Sequence, residues 1–373
     1  MKSGRVRMGV LGGGFGTSFQ WHLHPHSTVE AVCDALPERR RALQETYSCA
    51  KAYTDFDQLI ADPDVDAVAI CSGAPWHARQ SIAALKAGKH VWCAVPAAMS
   101  IEECQELVDT VEKTGLTYMM GETSYYRQTM ISARQWWQEG RFGEIFYTEA
   151  EYHHAGLEPL FANPDGSRSW RYAFPPMHYP THCTAFLVGL TGERLTEVTC
   201  YGWGDDRPEL KDNDYGNPFW NQTALFRTDL GHTFRVCIFW QGAHRGTERA
   251  QWYGTKMSFF MEHPNGLGPV IVRSTETQET DDAGFVRTLP VFEQYEPVAW
   301  WKTEMLPEPL RVNTGHDGSH AFLTHEFVDA LVHGRQPAID VYEAVAYTAP
   351  GIIAHQSSLR NGEKLQIPQF QRR

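Results

Sequence analysis

Residues 6–17 read VRMGVLGGGFGT, and this stretch limits the possible folds more than any other. A short apolar run over 6–11 reads as a buried strand, and the glycines after it call for a tight turn. Gly12, Gly14 and Gly16, with Phe15 before the last, let the backbone come close to a pyrophosphate. A helix expected from the turn to about His22 would offer that charge its unpaired N–H groups. Thr17 stands where a third small residue would complete the usual G-x-G-x-x-G spacing, so the loop fits that pattern in part. A second strand over 29–34 ends on Asp34, 22 positions after Gly12. A carboxylate there binds the adenosine ribose hydroxyls and favours NAD, while Arg39, Arg40 and Arg41 close behind keep NADP open.

The alternation then repeats. A short helix (55–60), a strand (65–71), a helix (77–87) stopped by Gly88, and a strand (90–93) follow in order. Ser100 with Glu103 forms a capping box for a helix over 101–114, and 116–120 is a further strand. Strands alternating with helices wind into a doubly wound parallel sheet. The fold class is therefore α/β, with an N-terminal Rossmann domain over residues 1–122. After that the rhythm changes: one helix at 130–139, strands at 144–154, 195–204, 221–228, 231–241 and 256–262, and a closing helix pair at 321–333 and 341–357. Residues 123–373 are read as a C-terminal α+β domain with a large, mostly antiparallel open sheet.

Lys and Arg number 33 against 45 Asp and Glu, a net charge of −12, which argues against nucleic acid or an anionic membrane as partner. No run approaches the ~18 apolar residues of a membrane span. The eight cysteines are scattered without a C-x-x-C pair, so unpaired thiols, a cytoplasmic location and no metal are expected.

The stretches VLGGGFG, AVCD, DPDVDAVAIC, ALKAGKHV, FGEIFY and EFVDALVHGRQP, in that order, resemble the Gfo/Idh/MocA oxidoreductase family along nearly the whole chain. The resemblance implies an NAD-binding Rossmann domain joined to a substrate domain. The open sheet of that second domain holds a sugar and often forms the interface of a homodimer or homotetramer. On matching positions it implies Ser72, Gly73, His77, Ala94, Pro96, Glu122, Trp170 and Arg171 as further cofactor contacts. Most dehydrogenases of the family carry Glu-Lys-Pro after the fourth strand, with the lysine moving the proton of the reacting hydroxyl. Here the residues are Ala94-Val95-Pro96, and valine can do no proton chemistry.

That departure, with Tyr179-Pro180-Thr181-His182, Trp170-Arg171 and Gly315-His316-Asp317-Gly318, resembles the NAD-dependent glycoside hydrolases of the same superfamily, typified by α-N-acetylgalactosaminidases. Ala94, where those enzymes keep an acid, and Gly121-Glu122-Thr123, in place of their Glu-Asn pair, depart from it. The resemblance implies transient oxidation at sugar C3, removal of the C2 proton, elimination of the C1 substituent and addition of water. Tyr179 is the implied C2 base and His182 the group at the reacting hydroxyl. His178, at helical i, i+4 spacing from His182, is expected on the same face, and His153 and His154 end a strand directed at the site, so these join Arg171 as sugar contacts. Arg168, Arg171, Arg245 and Lys256 raise an acidic, carboxylated or sulfonated glycoside. Two other readings stay open: an NAD(P)-dependent sugar or cyclitol dehydrogenase, and an inert NAD-binding sensor.

Overall fold

The computed structural model describes residues 4–244 and 246–372, with the backbone but not the side chain at 276. Its first sheet is built from β1 (Val6–Leu11), β2 (Ser27–Cys33), β3 (Ala52–Tyr53), β4 (Ala67–Ile70), β5 (His90–Cys93) and β6 (Tyr118–Met120) in the order β3-β2-β1-β4-β5-β6. Every pairing is parallel. β1 and β4 are buried along almost their whole length, as strands covered on both faces must be. Helices α1 (Pro37–Tyr47), α2 (Phe56–Ala61), α3 (His77–Lys86) and α4 (Ile101–Thr114) make the crossovers. The strand order reverses between β1 and β4, so their C-terminal ends open the crevice in which such sheets bind ligands.

The helix expected after the glycine turn does not form. Only one 3-10 turn, Gly16–Ser18, follows, and Phe19 is extended at φ −103°, ψ 156°. Phe19 and Trp21 are both buried. Two large side chains two positions apart share one face only in an extended chain. Their cover comes from the other end of the sequence: α8 (Ser319–His333) packs Leu323, Phe327 and Val328 into the same apolar cluster. The packing therefore crosses the boundary expected at residue 122.

Among the described residues the second sheet has nine strands. They are β7 (Ile145–His154), β8 (Leu195–Trp203), β9 (Asn221–Thr228), β10 (Thr233–Phe239), β11 (Gly246–Gly254), β12 (Met257–Phe260), β13 (Val270–Thr280), β14 (Val286–Gln294) and β15 (Leu365–Gln366). The order is β14-β13-β12-β11-β7-β10-β9-β8-β15, with β7 and β10 paired parallel. β11, β13, β14 and the two-residue β15 were not expected. β13 and β14 form a hairpin at the sheet edge whose β14 side chains stay largely exposed, so no alternation announces it. Helices α5 (Gln128–Gln138), α6 (Thr181–Thr191), the short α7 (Pro208–Lys211) and α9 (Val341–Leu359) complete this half. α6 is apolar all round and nearly all buried, as a helix enclosed by protein must be. Its N-terminal turn lies where β6 hands over to the second half of the chain, and this places the site.

Candidate active site

The glycine turn is shaped by contact. Gly12 has φ +92°, and a Cβ on Gly12 or Gly13 would stand 2.4 Å from the carbonyl oxygen of Cys71 or Arg39. Gly13 N–H donates to Asp34 Oδ2 (2.7 Å) and Leu36 N–H to Asp34 Oδ1 (2.9 Å), so Asp34 ties the turn to the start of α1. The N–H groups of Gly14 and Phe15 have no acceptor among the described residues, and the space over Gly14 is open apart from Arg39, whose guanidinium is 3.9 Å from where a Cβ would be. Unpaired donors over an open glycine floor, with a carboxylate beside them, fit a dinucleotide pyrophosphate and ribose.

At the end of β4, Gly73 is overlain by Trp170: a Cβ there would meet the indole at 2.5 Å and Trp76 at 2.6 Å. Ser72 Oγ donates to Gln80. Ala94 and Pro96, after β5, are buried beside this turn. His77 does not face the crevice. Its Nδ1 lies 2.8 Å from the Pro96 carbonyl oxygen and its Nε2 3.0 Å from that of Ser72. Two carbonyls can be satisfied only by two N–H donors, so the ring is a cation tying together the turns after β4 and β5. Burial opposes that charge, but Cys93 and the two carbonyls outweigh it and lift the pKa to about 9. His77 thus acts through the backbone instead of contacting cofactor.

Glu122 follows β6 and is fully buried. Its Oε1 accepts from His182 Nδ1 at 2.7 Å and from Ser124 N–H at 2.8 Å, while Oε2 has no partner among the described residues. His182 stands in the first turn of α6. Burial lowers its pKa, but Glu122 and Glu248 outweigh burial and the net shift is upward. With Nδ1 fixed by the carboxylate, Nε2 is the nitrogen left for chemistry. The Tyr152 ring lies 4.5 Å from that of His182 and the Tyr179 ring 5.3 Å. Burial pushes the Tyr179 phenol above its usual range; the positive charge of nearby Arg171 draws it back in part. Arg171 also lies over Trp170 at 4.2 Å. Trp240 packs beside both tyrosines, its Nε1 donating to Phe174 O (2.8 Å).

Glu248, Arg127 and Ser124 complete the cluster and were not anticipated. Glu248 accepts from Ser124 Oγ (2.6 Å) and pairs with Arg127 (3.2 Å). Burial opposes its charge, but Arg127, His182 and Ser124 hold its carboxyl at about 2. It sits on β11 opposite Tyr152. The alternation Glu248, Ala250, Trp252 on a strand hidden in a polar stretch was the available signal.

Two expected sugar contacts fall elsewhere. His153 lies on the opposite face of β7 from Tyr152, its ring stacked on Phe239 at 4.5 Å; His154, two residues from Tyr152, keeps to the site face, 5.9 Å from that ring. His178 is not on a helix with His182. It ends the 3-10 turn Pro176–His178, and α6 begins only at Thr181. Its ring packs on His355 (5.0 Å), and burial with that neighbour lowers its pKa to about 3. Of the candidate anion-binding residues, Arg168 is paired with Asp212 (2.6 Å), Lys256 is exposed in the turn after β11, and Arg245 lies outside the described residues. Arg171 alone of the four reaches the cluster. Among the described residues no group of three or more His, Cys, Asp or Glu could hold a metal ion.

Residues 6–122 match the model of an oxidoreductase family with an NAD-binding Rossmann fold, and residues 270–373 match the C-terminal domain of glycosyl hydrolase 109. Similar curated proteins include a glycosyl hydrolase family 109 protein of Solibacter usitatus, 27% identical over 99% of this chain and 89% of that protein. Another, from Saccharopolyspora erythraea, is 26% identical over 98% and 83%. Among solved structures, levoglucosan dehydrogenase in complex with NADH and L-sorbose has a TM-score of 0.76 at 18% identity, over 98% of this chain and 100% of that one. Apo scyllo-inositol dehydrogenase from Lactobacillus casei has a TM-score of 0.70 at 16% identity, over 97% and 98%. At these identities the structures speak for the fold alone.

Proposed function

From a chain that joins the NAD-binding domain of the Gfo/Idh/MocA oxidoreductase family to the C-terminal domain of glycosyl hydrolase 109, we propose an NAD-dependent glycosidase acting through a transient 3-keto sugar. Gly12, Gly14, Phe15, Gly16 and Asp34 would hold the pyrophosphate and ribose, and Ser72, Gly73, Ala94, Pro96 and Trp170 the nicotinamide end. When bound, NAD supplies a hydride acceptor at C3 and returns the hydride at the end of the cycle.

The observation that carries the reading is the buried His182–Glu122 pair with Tyr179 beside it and Arg171 acting on the phenol, in a chain with Val95 where most dehydrogenases of the family carry lysine. His182 takes the C3 hydroxyl proton through Nε2, and Glu122 stabilises the imidazolium that results. The ketone acidifies the C2 proton, which the Tyr179 phenolate removes with Arg171 offsetting its charge. The C1–O bond then breaks, the aglycone departs, and water adds to C1 as the steps reverse. No pair of carboxylates astride the glycosidic bond is needed. Arg171 is the one candidate anion-binding residue that reaches the cluster, where it acts on Tyr179, and it supports a carboxylated or sulfonated glycoside as the substrate class. A homodimer or homotetramer would cover the open sheet face, where Tyr201, Leu225 and Phe292 are exposed. Among the described residues no helix is long and apolar enough to cross a membrane, and eight buried, unpaired cysteines suit the cytoplasm.

Turnover in deuterium oxide tests the mechanism. The reading expects solvent deuterium at C2 of the released sugar, and loss of that label in Tyr179→Phe while hydride transfer at C3 persists. Turnover without C2 label in the wild-type enzyme would leave a simple dehydrogenase.

A further inference from the structure

Residues 314–320, TGHDGSH, bring the far end of the chain to the cleft. The turn is left-handed at three successive residues, His316 (φ 51°), Asp317 (58°) and Gly318 (80°), a backbone that side chains disfavour. Gly315 has no room for a side chain, since a Cβ would lie 2.5 Å from the His320 ring. Asp317 clamps the turn onto α5: its Oδ2 accepts from Gln128 N–H (3.0 Å) and its carbonyl from Gln128 Nε2 (2.9 Å). Strained backbone held this firmly tends to serve the side chain it presents. His316 is exposed to the cleft, and the charged groups that act on it are Glu248, His182, Arg127 and Glu122, the same cluster that surrounds the reacting groups.

The acceptors fix where the protons sit. A carbonyl cannot donate, so His320 Nδ1, 3.1 Å from Ser18 O, carries a hydrogen. His320 is enclosed by the rings of Phe19 (4.7 Å) and Phe15 (5.5 Å), and burial with His316 lowers its pKa to about 4, so it is neutral and its Nε2 is a lone pair. His316 Nδ1, 2.8 Å away, must then donate. The protein around the His316 ring, with His182 and Arg127, holds it neutral against Glu248 and Glu122. Its Nε2 is consequently a bare lone pair with no protein partner among the described residues.

We propose that His316 is a specificity-determining residue whose Nε2 accepts a hydrogen bond from a hydroxyl of the bound sugar, locked in that tautomer by His320 and the Ser18 carbonyl. This rests on the reading that the cleft takes a sugar, but not on whether the net reaction is hydrolysis or oxidation. An acceptor-only nitrogen selects a hydroxyl or amide N–H and repels a carboxylate or carbonyl, so it discriminates at a ring position where the acidic substituent is absent. A nicotinamide ribose hydroxyl is the competing source of the donor, because Phe15 of the glycine turn lies 6.0 Å from the His316 ring.

Two measurements decide it. Long-range 1H–15N correlation on histidine-labelled wild-type protein at neutral pH should show His316 as the neutral Nδ1–H tautomer, which is the less common one in solution; an Nε2–H tautomer or an imidazolium overturns the proposal. This measurement needs no substrate, so it stands apart from any failure of the glycosidase reading. The second compares His316→Asn with His316→Gln on the first nitrophenyl glycoside or free sugar that the wild-type protein processes, followed by phenol release or NADH formation. Asn tolerates the left-handed backbone but cannot reach the Nε2 position, whereas Gln can place its oxygen there. Asn should raise KM about tenfold, the worth of one lost hydrogen bond, with kcat and bound NAD nearly unchanged, and Gln should restore most of it. An unchanged KM in Asn, or a loss of NAD without a change in sugar KM, overturns the proposal.

Discussion

Replacing Glu122 by Gln removes one negative charge and little else. The Gln oxygen can keep both hydrogen bonds that Oε1 accepts, from His182 Nδ1 and Ser124 N–H, and its NH2 group takes the place of an oxygen that has no partner among the described residues. The upward shift of His182 comes from Glu122 and Glu248 against burial. With the nearer charge gone, burial is opposed by Glu248 alone. A hydrogen bond to a charged group contributes about 1.5–3 kcal/mol, and 1.36 kcal/mol is one pKa unit, so the His182 pKa should fall by about one to two units. His182 must be neutral to take the hydroxyl proton, so activity rises with pH through its pKa. In the wild-type protein this acid limb should lie above 6.5, the ordinary histidine value; in Glu122→Gln it should move down by about one to two pH units while the plateau rate falls, because a weaker base has become responsible. The assay is kcat/KM against pH for the wild-type and variant proteins. A limb that stays in place, or moves upward, would refute the assignment of the base to His182.

Other expectations follow from the same cluster. Arg171→Met leaves burial of Tyr179 unopposed, so the phenol pKa rises further and the pH at which C2 exchange reaches half its maximum should move upward; an unmoved midpoint would remove Arg171 from the mechanism. Glu248 is held at about 2 against 4.5 when unfolded, so it stabilises the fold above pH 4.5 and that contribution is lost as pH falls toward 2. Glu248→Gln should therefore cost up to about 3 kcal/mol at pH 7 and flatten the acid side of the denaturation curve, where an unaltered slope would contradict the pairing with Arg127. Gly73→Ala puts a methyl group 2.5 Å from the Trp170 indole; protein purified from this variant should carry at least tenfold less NAD, read from absorbance after denaturation, and undiminished NAD would show that Trp170 does not cover the cofactor.

The parallel sheet was legible because a strand buried on both faces must be a continuous apolar run, as in Ala67–Ile70. The dinucleotide-turn pattern misled after the glycine turn, where a helix was expected to about His22; the i, i+2 spacing of Phe19 and Trp21, which one helix face cannot accommodate, held the correct answer. His178 was placed on a helix despite Pro180, although the residue before a proline is turned away from helical backbone, and Tyr179 sits at φ −120°, ψ 51°. His153 and His154 are adjacent on a strand, so only one of them could face the site. Tyr179, His182 and Arg171 were singled out from motifs and lie together; Glu122, expected as a cofactor contact, instead accepts from His182 Nδ1. Glu248 was not singled out, because long-range strand pairing brings it there, opposite Tyr152, 96 positions earlier in the chain; Arg127, just before α5, was missed because its partner is Glu248. The tautomer of His316 depends on the Ser18 carbonyl, which no reading of the sequence supplies.

The most direct test of the central claim uses the protein as purified, with no added cofactor, on a panel of α- and β-nitrophenyl glycosides that includes acidic sugars, with the phenol and NADH bands followed together. The account predicts many phenol molecules released per enzyme with no net NADH, because the hydride is returned in every cycle. NADH accumulating in step with added sugar and NAD, without phenol release, would contradict it.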